Sequence, residues 1–591
     1  MNLSLSCLLL ISALLNPATA LINADVCKCL PNDECWPKDE AWSQLNSTVN
    51  GRLIRSKPPA SVCYPEESNY DPEACSRVFE NWESSYWHAD DPISIDSPPR
   101  YACHPIYPNG TSIHGDPTAG ERGCGGDSYP VFVVNASSVS DVQAGVEFAR
   151  RHSVKLNVKS TGHGRSSIPG SLSIWTHYFR GKEFHTNFVP QGANSSTNAT
   201  SMAVTFGAGI LDREAFEFAA EHDAVVVGGT DSTVGLVGWA GAGGHGYLTG
   251  GYGMGADSFL EVTVVTPSGE IVVANAYQHA DLFWAIGGGG AGTWGVVVSL
   301  TVKAHPMPST AMWSLSLTAQ NGTTASEWYK VAAELFADIP RQRDLGLSGY
   351  QTLGGPPLVV TNAMFGYDMS REAVEKITGP LLQQLETQNS TAQVDSNIVM
   401  FPKWIDVFHQ FNLTLPVGGA TGGTTAARLL PDSSLTDTET FARVLENIGP
   451  SLDKPKDKFR SGRSISGTAT GSSRKVDNAL NPAWRDTAVH FIVSESWPHD
   501  TPSEVVDEAM AAMEQSAYQL RSIAPDSGAY INERGDFVPD WQKTLYGDNY
   551  SRLLAIKHKY DPESVQWCEL CVGSDEWYER EDGRFCKQSW A

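Results

Sequence analysis

The cysteines of this 591-residue chain lie almost entirely at its two ends. Apart from Cys7, seven fall between residues 27 and 124 and three between residues 568 and 586. Both counts are odd, so complete pairing requires at least one disulfide between the two groups. The nearest possible partners, Cys124 and Cys568, are more than 440 residues apart. The fold must therefore bring the two ends of the chain together.

The first 20 residues are typical of a secretory signal, with an apolar core at Leu8–Leu15 and an A-x-A site at Ala18–Ala20. No later apolar run approaches the roughly 18 residues that span a bilayer. A net charge of −25 argues against nucleic acid or an anionic membrane as a partner. We therefore predict a soluble, secreted protein with five disulfides, no metal and N-linked glycans. The glycosylation sequons begin at Asn46, Asn109, Asn135, Asn194, Asn198, Asn321, Asn389, Asn412 and Asn549.

A loop of small residues surrounds one histidine directly after the strand-like run Val154–Val158. Glycines allow close approach of the backbone to a ligand, and successive exposed N–H groups suit a pyrophosphate. A histidine here can bind a phosphate-bearing cofactor or bond to it covalently. The alternative is a histidine that only makes a hydrogen bond within a turn. The candidate cofactor residues of this loop are Ser160, Thr161, Gly162, His163, Gly164, Arg165 and Ser166.

A second segment, residues 228–257, is exceptionally rich in glycine. Interleaved Leu, Val and Trp argue against low-complexity disorder and favour a backbone closely packed around a flat ligand. A further run, residues 287–292, matches G-x-G-x-x-G, but it follows a helical pattern and precedes a strand, which excludes NAD binding through this motif. No P-loop motif and no G-x-S-x-G motif occur.

The patterning predicts five segments. After the signal, residues 21–124 form a Cys-rich extension. Residues 125–308 begin with a strand, a helix and a strand, and later contain a hairpin around Pro267–Glu270. Residues 309–525 have helical and strand-like runs of a separate α+β domain. Residues 526–591 are short, aromatic-rich and hold three cysteines.

The histidine loop, the Gly229–Gly235 run, Gly243–Gly246, the hairpin and Asp281–Gly289 together resemble the FAD-binding domain of the vanillyl-alcohol oxidase superfamily. The likeness is greatest to the berberine bridge enzyme-like oxidoreductases, which include secreted fungal alcohol and oligosaccharide oxidases. The resemblance implies an α+β fold: a PCMH-type FAD-binding domain, an inserted α+β substrate domain and a disulfide-rich N-terminal extension.

In that family the loop histidine is commonly linked to the flavin 8α carbon, and it corresponds to His163. Many relatives form a second link through a cysteine, whose place is taken here by Asp231. The resemblance therefore implies FAD held by one covalent bond. Beyond the histidine loop, the cofactor-binding candidates are Gly229, Asp231, Ser232, Thr233, Val234, Gly235, Gly243, Gly244, His245 and Asn532.

The implied reaction is oxidation of a hydroxyl-bearing carbon of an alcohol or carbohydrate, with O₂ reduced to H₂O₂. Valine at position 234 favours an oxidase over a dehydrogenase, as the resemblance implies. A base must withdraw the hydroxyl proton. Tyr530, in a Tyr-x-Asn motif with Asn532, is one candidate, and Glu495, which strand alternation places with Val489, Phe491 and Val493, is the other. His490 is the next to test. A catalytically silent flavin scaffold and a non-flavin hydrolase remain as alternatives.

Overall fold

The computed structural model describes residues 26–99, 101–164, 168–193, 201–411, 422–452, 462–581 and 584–588. The predicted signal, Arg165, Ser166 and the sequons at Asn194, Asn198 and Asn412 lie outside these ranges. Within them, no helix has both the length and the apolar character needed to cross a bilayer. The architecture is the predicted α+β class, with four sheets.

The N-terminal extension is stapled by local disulfides and joins the first sheet. Its bridges are Cys29–Cys35, Cys63–Cys75 and Cys103–Cys124. It contains helices α1 (Asp39–Thr48), α2 (Pro72–Asn81), α3 (Ser85–Asp90) and α4 (Ala119–Arg122), and strand β1 (Leu53–Arg55). Strand β1 extends the sheet that follows, so the extension is part of the fold and not an appendage.

The first sheet arises from the predicted strand–helix–strand unit. It is built from β2 (Phe132–Asn135), α5 (Val139–Arg151), β3 (Leu156–Lys159) and β4 (Leu172–Trp175), in the order β1-β2-β4-β3. A capping box between Ser138 and Asp141 starts α5. The apolar face of α5, including Val142 and Val146, packs on this sheet. The sheet therefore presents the end of β3 and the histidine loop after it at one edge.

The second sheet contains the predicted hairpin and lies beside the glycine-rich segment. Its strands follow the order β5-β6-β10-β8-β9, with β7 paired to β10. The elements are β5 (Lys182–Phe188), β6 (Ser201–Gly207), α6 (Asp212–Ala220), β7 (Ala224–Val226), α7 (Leu236–Gly241), α8 (Thr249–Tyr252), β8 (Phe259–Val265), β9 (Ile271–Asn275), α9 (Ala280–Ile286) and β10 (Val296–Pro306).

The third sheet is antiparallel and has seven strands, in the order β14-β11-β13-β12-β16-β17-β15. The elements are β11 (Thr310–Ala319), α10 (Ala325–Asp344), β12 (Leu347–Gly354), β13 (Val359–Tyr367), α11 (Arg371–Glu386), β14 (Ala392–Phe401), α12 (Trp404–Phe411), β15 (Gly422–Pro431), α13 (Asp432–Thr436), α14 (Thr438–Ile448), β16 (Arg463–Ala469), β17 (Thr487–Trp497) and α15 (Ser503–Ile523).

The C-terminal segment returns to the N-terminal half of the molecule. It contains α16 (Trp541–Tyr546), α17 (Tyr550–Tyr560), β18 (Trp577–Glu579) and β19 (Phe585–Lys587). Cys568 pairs with Cys571, and Cys586 pairs with Cys27. The disulfide between the two ends, required by parity, is therefore confirmed, and all ten cysteines outside the signal are paired.

Candidate active site

The histidine loop is clasped by two other segments of the chain. Nδ1 of His163 lies 3.1 Å from Oδ2 of Asp96, in the N-terminal extension. Nε2 lies 2.6 Å from Oγ1 of Thr233 and 3.6 Å from Oδ1 of Asp231, in the glycine-rich segment. About a quarter of the His163 side chain (26%) is exposed. The ring is therefore fixed at both nitrogens while part of it remains open to a ligand.

Backbone contacts hold the loop in place. Gly162 has a φ of +103°, and a Cβ there would lie 3.0 Å from the carbonyl oxygen of Ser94. Lys159, which is fully buried, donates from Nζ to the carbonyl oxygens of His88 and Asp91. Burial lowers the pKa of Lys159 to about 8. Ser160 donates to the carbonyl oxygen of Ala208. The loop is thus anchored on the extension and on the second sheet.

The 229–235 segment packs directly against the histidine loop. A Cβ on Gly235 would lie 3.0 Å from Oγ of Ser160 and 3.2 Å from the Thr161 methyl carbon. Asp231 accepts hydrogen bonds from the N–H and the hydroxyl of Thr233. The hydroxyl of Ser232 lies 3.2 Å from that of Tyr86 in the extension. The two predicted cofactor segments are therefore neighbours, although 70 residues of sequence separate His163 from Thr233.

The start of the 229–235 segment is tied down by a buried carboxyl. The N–H of Gly229 donates to Oδ2 of Asp212, 2.8 Å away. Asp212 is fully buried, and burial raises its pKa well above the usual value. Val234 is half-buried, and its carbonyl oxygen accepts from the N–H of Asp212. This contact closes the turn that presents Thr233 to His163.

A second cluster forms where Gly243–Gly246 meets the third sheet. Gly243 and Gly244 have positive φ, and a Cβ on Gly246 would lie 1.7 Å from a backbone oxygen of Gly228. Only glycine allows this close approach. It turns His245 toward Glu533, whose carboxylate lies 3.1 Å from Nε2 of His245.

His490, on β17 of the third sheet, faces this cluster. Its Nδ1 lies 3.4 Å from the Glu533 carboxylate. His490 is fully buried, and among the described residues neither of its ring nitrogens makes a hydrogen bond. Burial lowers its pKa to about 4, so the ring is neutral at physiological pH. A buried polar group without a partner is costly. The cluster is therefore ready to receive a polar atom.

Tyr530 and Asn532 border the same cluster. The ring centroid of Tyr530 lies 5.4 Å from that of His245 and 5.8 Å from that of His490. Asn532 donates from Nδ2 to the Tyr530 hydroxyl at 3.0 Å. Burial, with a contribution from Glu533, raises the pKa of Tyr530 well above its usual value. The phenol is therefore protonated at neutral pH.

Glu533 carries the negative charge of the cluster. Burial favours its neutral form, but His245 and His490 outweigh that effect and lower its pKa to about 2. His245, His490 and Glu533 present ligand atoms that all lie within 4.8 Å of one another, a set that could also hold a divalent cation. Sequence reasoning missed Glu533, although it lies one residue beyond the Tyr-x-Asn motif.

The structure does not place Glu495 at this cluster. Alternation along β17 is as predicted: Glu495 is buried on the face that carries Val489, Phe491 and Val493. That face packs into the core of the third sheet and its helices, whereas His490 points the opposite way. The carboxylate of Glu495 lies 3.6 Å from Nε of Arg463 on the neighbouring strand. Glu495 as the base stays a prediction, which this placement does not favour because that core lies on the far side of the sheet from His245.

Comparisons with known proteins identify both halves of this site. A model of the FAD binding domain matches residues 130–275, and one described as "Berberine and berberine like" matches residues 529–572. The VAO-type flavoprotein oxidase VAO615 of Thermothelomyces thermophilus is 32% identical over 577 residues, 95% of each chain. The FAD-linked oxidoreductase ZEB1 of Gibberella zeae is 30% identical over 581 residues, again 95% of each chain. The crystal structure of the VAO-type flavoprotein MtVAO713 from Myceliophthora thermophila superposes with a TM-score of 0.87 at 27% identity, covering 96% of this chain and all of that one.

Proposed function

The chain belongs to the VAO-type family of FAD-linked oxidoreductases with a berberine-like C-terminal segment, and we propose that it is a secreted oxidase of an alcohol or carbohydrate hydroxyl. In this proposal FAD is bonded to His163, and O₂ is reduced to H₂O₂. The observation that carries it is the adjacency of His163 to the 229–235 segment, together with a polar cluster at the third sheet.

The residues present fit FAD. A side chain at Gly235 would press on Ser160 and Thr161 of the histidine loop, and one at Gly246 would overlap the backbone of Gly228 within the glycine-rich segment. Asp231 stands where a second linking thiol would be needed, and no cysteine lies between residues 125 and 567. We therefore infer one covalent bond, through His163. We assign residues 125–308 and 526–591 to cofactor binding and residues 309–525 to the substrate.

The chemistry that bound FAD supplies is acceptance of a hydride from the carbon that bears the hydroxyl. This chain's own task is to take the hydroxyl proton. Glu533 is ionised and is 39% exposed at its side chain, so a substrate hydroxyl can reach it directly. His245 holds the carboxylate in place, and Tyr530, as a neutral phenol, donates a hydrogen bond to the substrate oxygen. The neutral ring of His490 accepts or donates one further bond.

Export and glycosylation belong to the same proposal. The ten cysteines near the two ends of the chain form five disulfides, one of which links the ends. The sequon residues Asn109, Asn321 and Asn389 are exposed. Asn549 differs, because its Nδ2 donates to the carbonyl oxygens of Ala479 and Leu480. We expect glycans at the exposed sequons and not at Asn549.

Three measurements on the purified protein test the function. Flavin fluorescence should remain with the protein band after denaturation, and His163→Ala should release the flavin. A panel of alcohols and carbohydrates should include one that bleaches the flavin anaerobically. Air should then restore the colour within seconds and yield H₂O₂. Slow reoxidation over many minutes would indicate a dehydrogenase, and no turnover of any compound would indicate a silent scaffold.

A further inference from the structure

We propose that Asp96, from the N-terminal extension, is the base that takes the imidazole proton of His163 when the flavin bond forms. This inference rests on the covalent attachment proposed above. It gives the extension, which lies outside the matched FAD domain, a chemical role in loading the cofactor.

Asp96 presents one oxygen of its buried carboxylate to the histidine. Its Oδ2 lies 3.1 Å from Nδ1 of His163 and accepts a hydrogen bond from Oγ of Ser85. Its Oδ1 is buried and, among the residues that the structure describes, has no hydrogen-bond partner. Proton transfer from Nδ1 of His163 would therefore place the proton on Oδ2.

The backbone fixes Asp96 at the histidine loop. The N–H of Asp96 donates to the carbonyl oxygen of Gly162, the residue before His163, at 3.1 Å. Lys159 and His88 each interact electrostatically with Asp96. Lys159 is held by backbone carbonyl oxygens, so it does not neutralise Asp96 through a direct ion pair.

Contacts at the opposite side of the ring determine which nitrogen reacts. The hydroxyl of Thr233 donates to Oδ1 of Asp231 at 2.6 Å, so its oxygen is available to accept the Nε2–H of His163. Asp96 at Nδ1 and Thr233 at Nε2 are both acceptors, an arrangement that suits an imidazolium with a proton on each nitrogen. Loss of the Nδ1 proton to Asp96 leaves the proton on Nε2 and frees the Nδ1 lone pair for attack. Asp96 is the acceptor at that atom.

The attachment oxidises the flavin 8α carbon. A bond forms between Nδ1 and the flavin 8α carbon, and one C–H bond of the 8α methyl group breaks. The Nδ1 proton passes to Asp96, and the Nε2 proton of the alkylated ring and the methyl proton pass to solvent. The two electrons of the broken C–H bond reduce the flavin ring system. O₂ then takes these electrons and two protons to give H₂O₂, which leaves oxidised, covalently bound flavin.

The test measures attachment rather than turnover. Asp96→Asn, Asp96→Glu and Ser85→Ala are expressed and purified, and flavin is quantified on the denatured protein against total bound flavin. Non-covalent holoprotein is incubated with excess FAD over a pH series, and the covalent fraction is followed with time. We expect attachment in Asp96→Asn to be at least about 10²-fold slower, the lower range of general-base effects, and to accelerate as pH rises.

Asp96→Glu retains a carboxylate and should attach flavin readily. Ser85→Ala keeps the carboxylate of Asp96 and removes only one donor to Oδ2, so it should attach flavin far faster than Asp96→Asn. Wild-type-like attachment in Asp96→Asn overturns the role of Asp96 and leaves the proposed function intact. Fully dissociable flavin in the wild type overturns both. If both Asp96 variants attach slowly at every pH, Asp96 has a structural role and the proposal fails.

Discussion

The carboxylate of Glu533 lies 3.1 Å from Nε2 of His245, although 288 residues of sequence separate the two side chains. This contact joins the segment after the Tyr-x-Asn motif to the glycine-rich segment. It places an ionised carboxylate beside the neutral ring of His490 and the phenol of Tyr530. The cluster is composed of side chains from three separate regions of the chain, and its reactivity depends on all three.

Glu533→Gln should slow anaerobic flavin reduction about 10²-fold or more, because the amide cannot take the hydroxyl proton. Reoxidation by O₂ should be unaffected, since that step needs no substrate base. Glu495→Gln is the matched control: it makes the same chemical change on the opposite face of β17. Stopped-flow traces of both steps report the result. Equal rates in Glu533→Gln and the wild type would assign the base elsewhere.

Tyr530→Phe should also slow flavin reduction, but by a smaller factor of roughly 10. The raised pKa of Tyr530 makes the phenol a hydrogen-bond donor and not a base, so its loss removes one bond to the substrate oxygen. The rate of the variant should keep the wild-type pH dependence. A lost basic limb in the pH profile would instead identify Tyr530 as a titrating base. Asn532→Ala, which removes the amide that contacts the phenol, should give an intermediate rate.

The sequence predicts the features that depend on strict local requirements. Gly162 and Gly246 are needed because other backbone segments lie too close for a side chain at either position. The odd number of cysteines in each terminal group requires a disulfide between the groups, whichever cysteines form it. The sequence does not predict the partners of His163 and His245, because Asp96 and Glu533 reach them only through long-range packing. Glu495 shows a different limit. Alternation correctly groups it with Val493, but alternation alone does not show that this face packs into the core of the third sheet while His490, on the other face, lies beside His245.

The disulfide between Cys27 and Cys586 should contribute much more to stability than the one between Cys568 and Cys571. Their sequence separations are 559 and 3 residues. In the chain-entropy model the difference corresponds to about 6 against about 2 kcal/mol, as upper values. The double variant Cys27→Ser/Cys586→Ser should therefore melt well below Cys568→Ser/Cys571→Ser. Differential scanning calorimetry of the two variants and the wild type makes the comparison, and equal melting temperatures would contradict it.

Acidification should destabilise the protein through a buried group of histidines that joins the extension to the loop after β17. The rings of His104, His114 and His499 lie with centroids 5.1 Å apart in every pair. Burial, with the neighbouring rings of His104 and His499, lowers the pKa of His114 to about 3. Nε2 of His114 accepts a hydrogen bond from the indole of Trp82, which requires an unprotonated nitrogen. The folded protein therefore favours neutral His114.

His114 binds a proton at a higher pH in the unfolded protein than in the folded protein. Unfolded His114 binds a proton below about pH 6.5, whereas the folded protein binds it only near pH 3, so the stability contribution is lost as pH falls through this window. His114→Gln should flatten the decline in the free energy of unfolding between pH 6.5 and pH 4, since glutamine can still accept the Trp82 bond. The exposed His409→Gln should leave the profile unchanged. Denaturant titrations at several pH values test this prediction. If the free energy of unfolding of His114→Gln falls with pH in parallel with that of the wild type, other groups, such as Asp116 beside Arg122, control the loss of stability in acid.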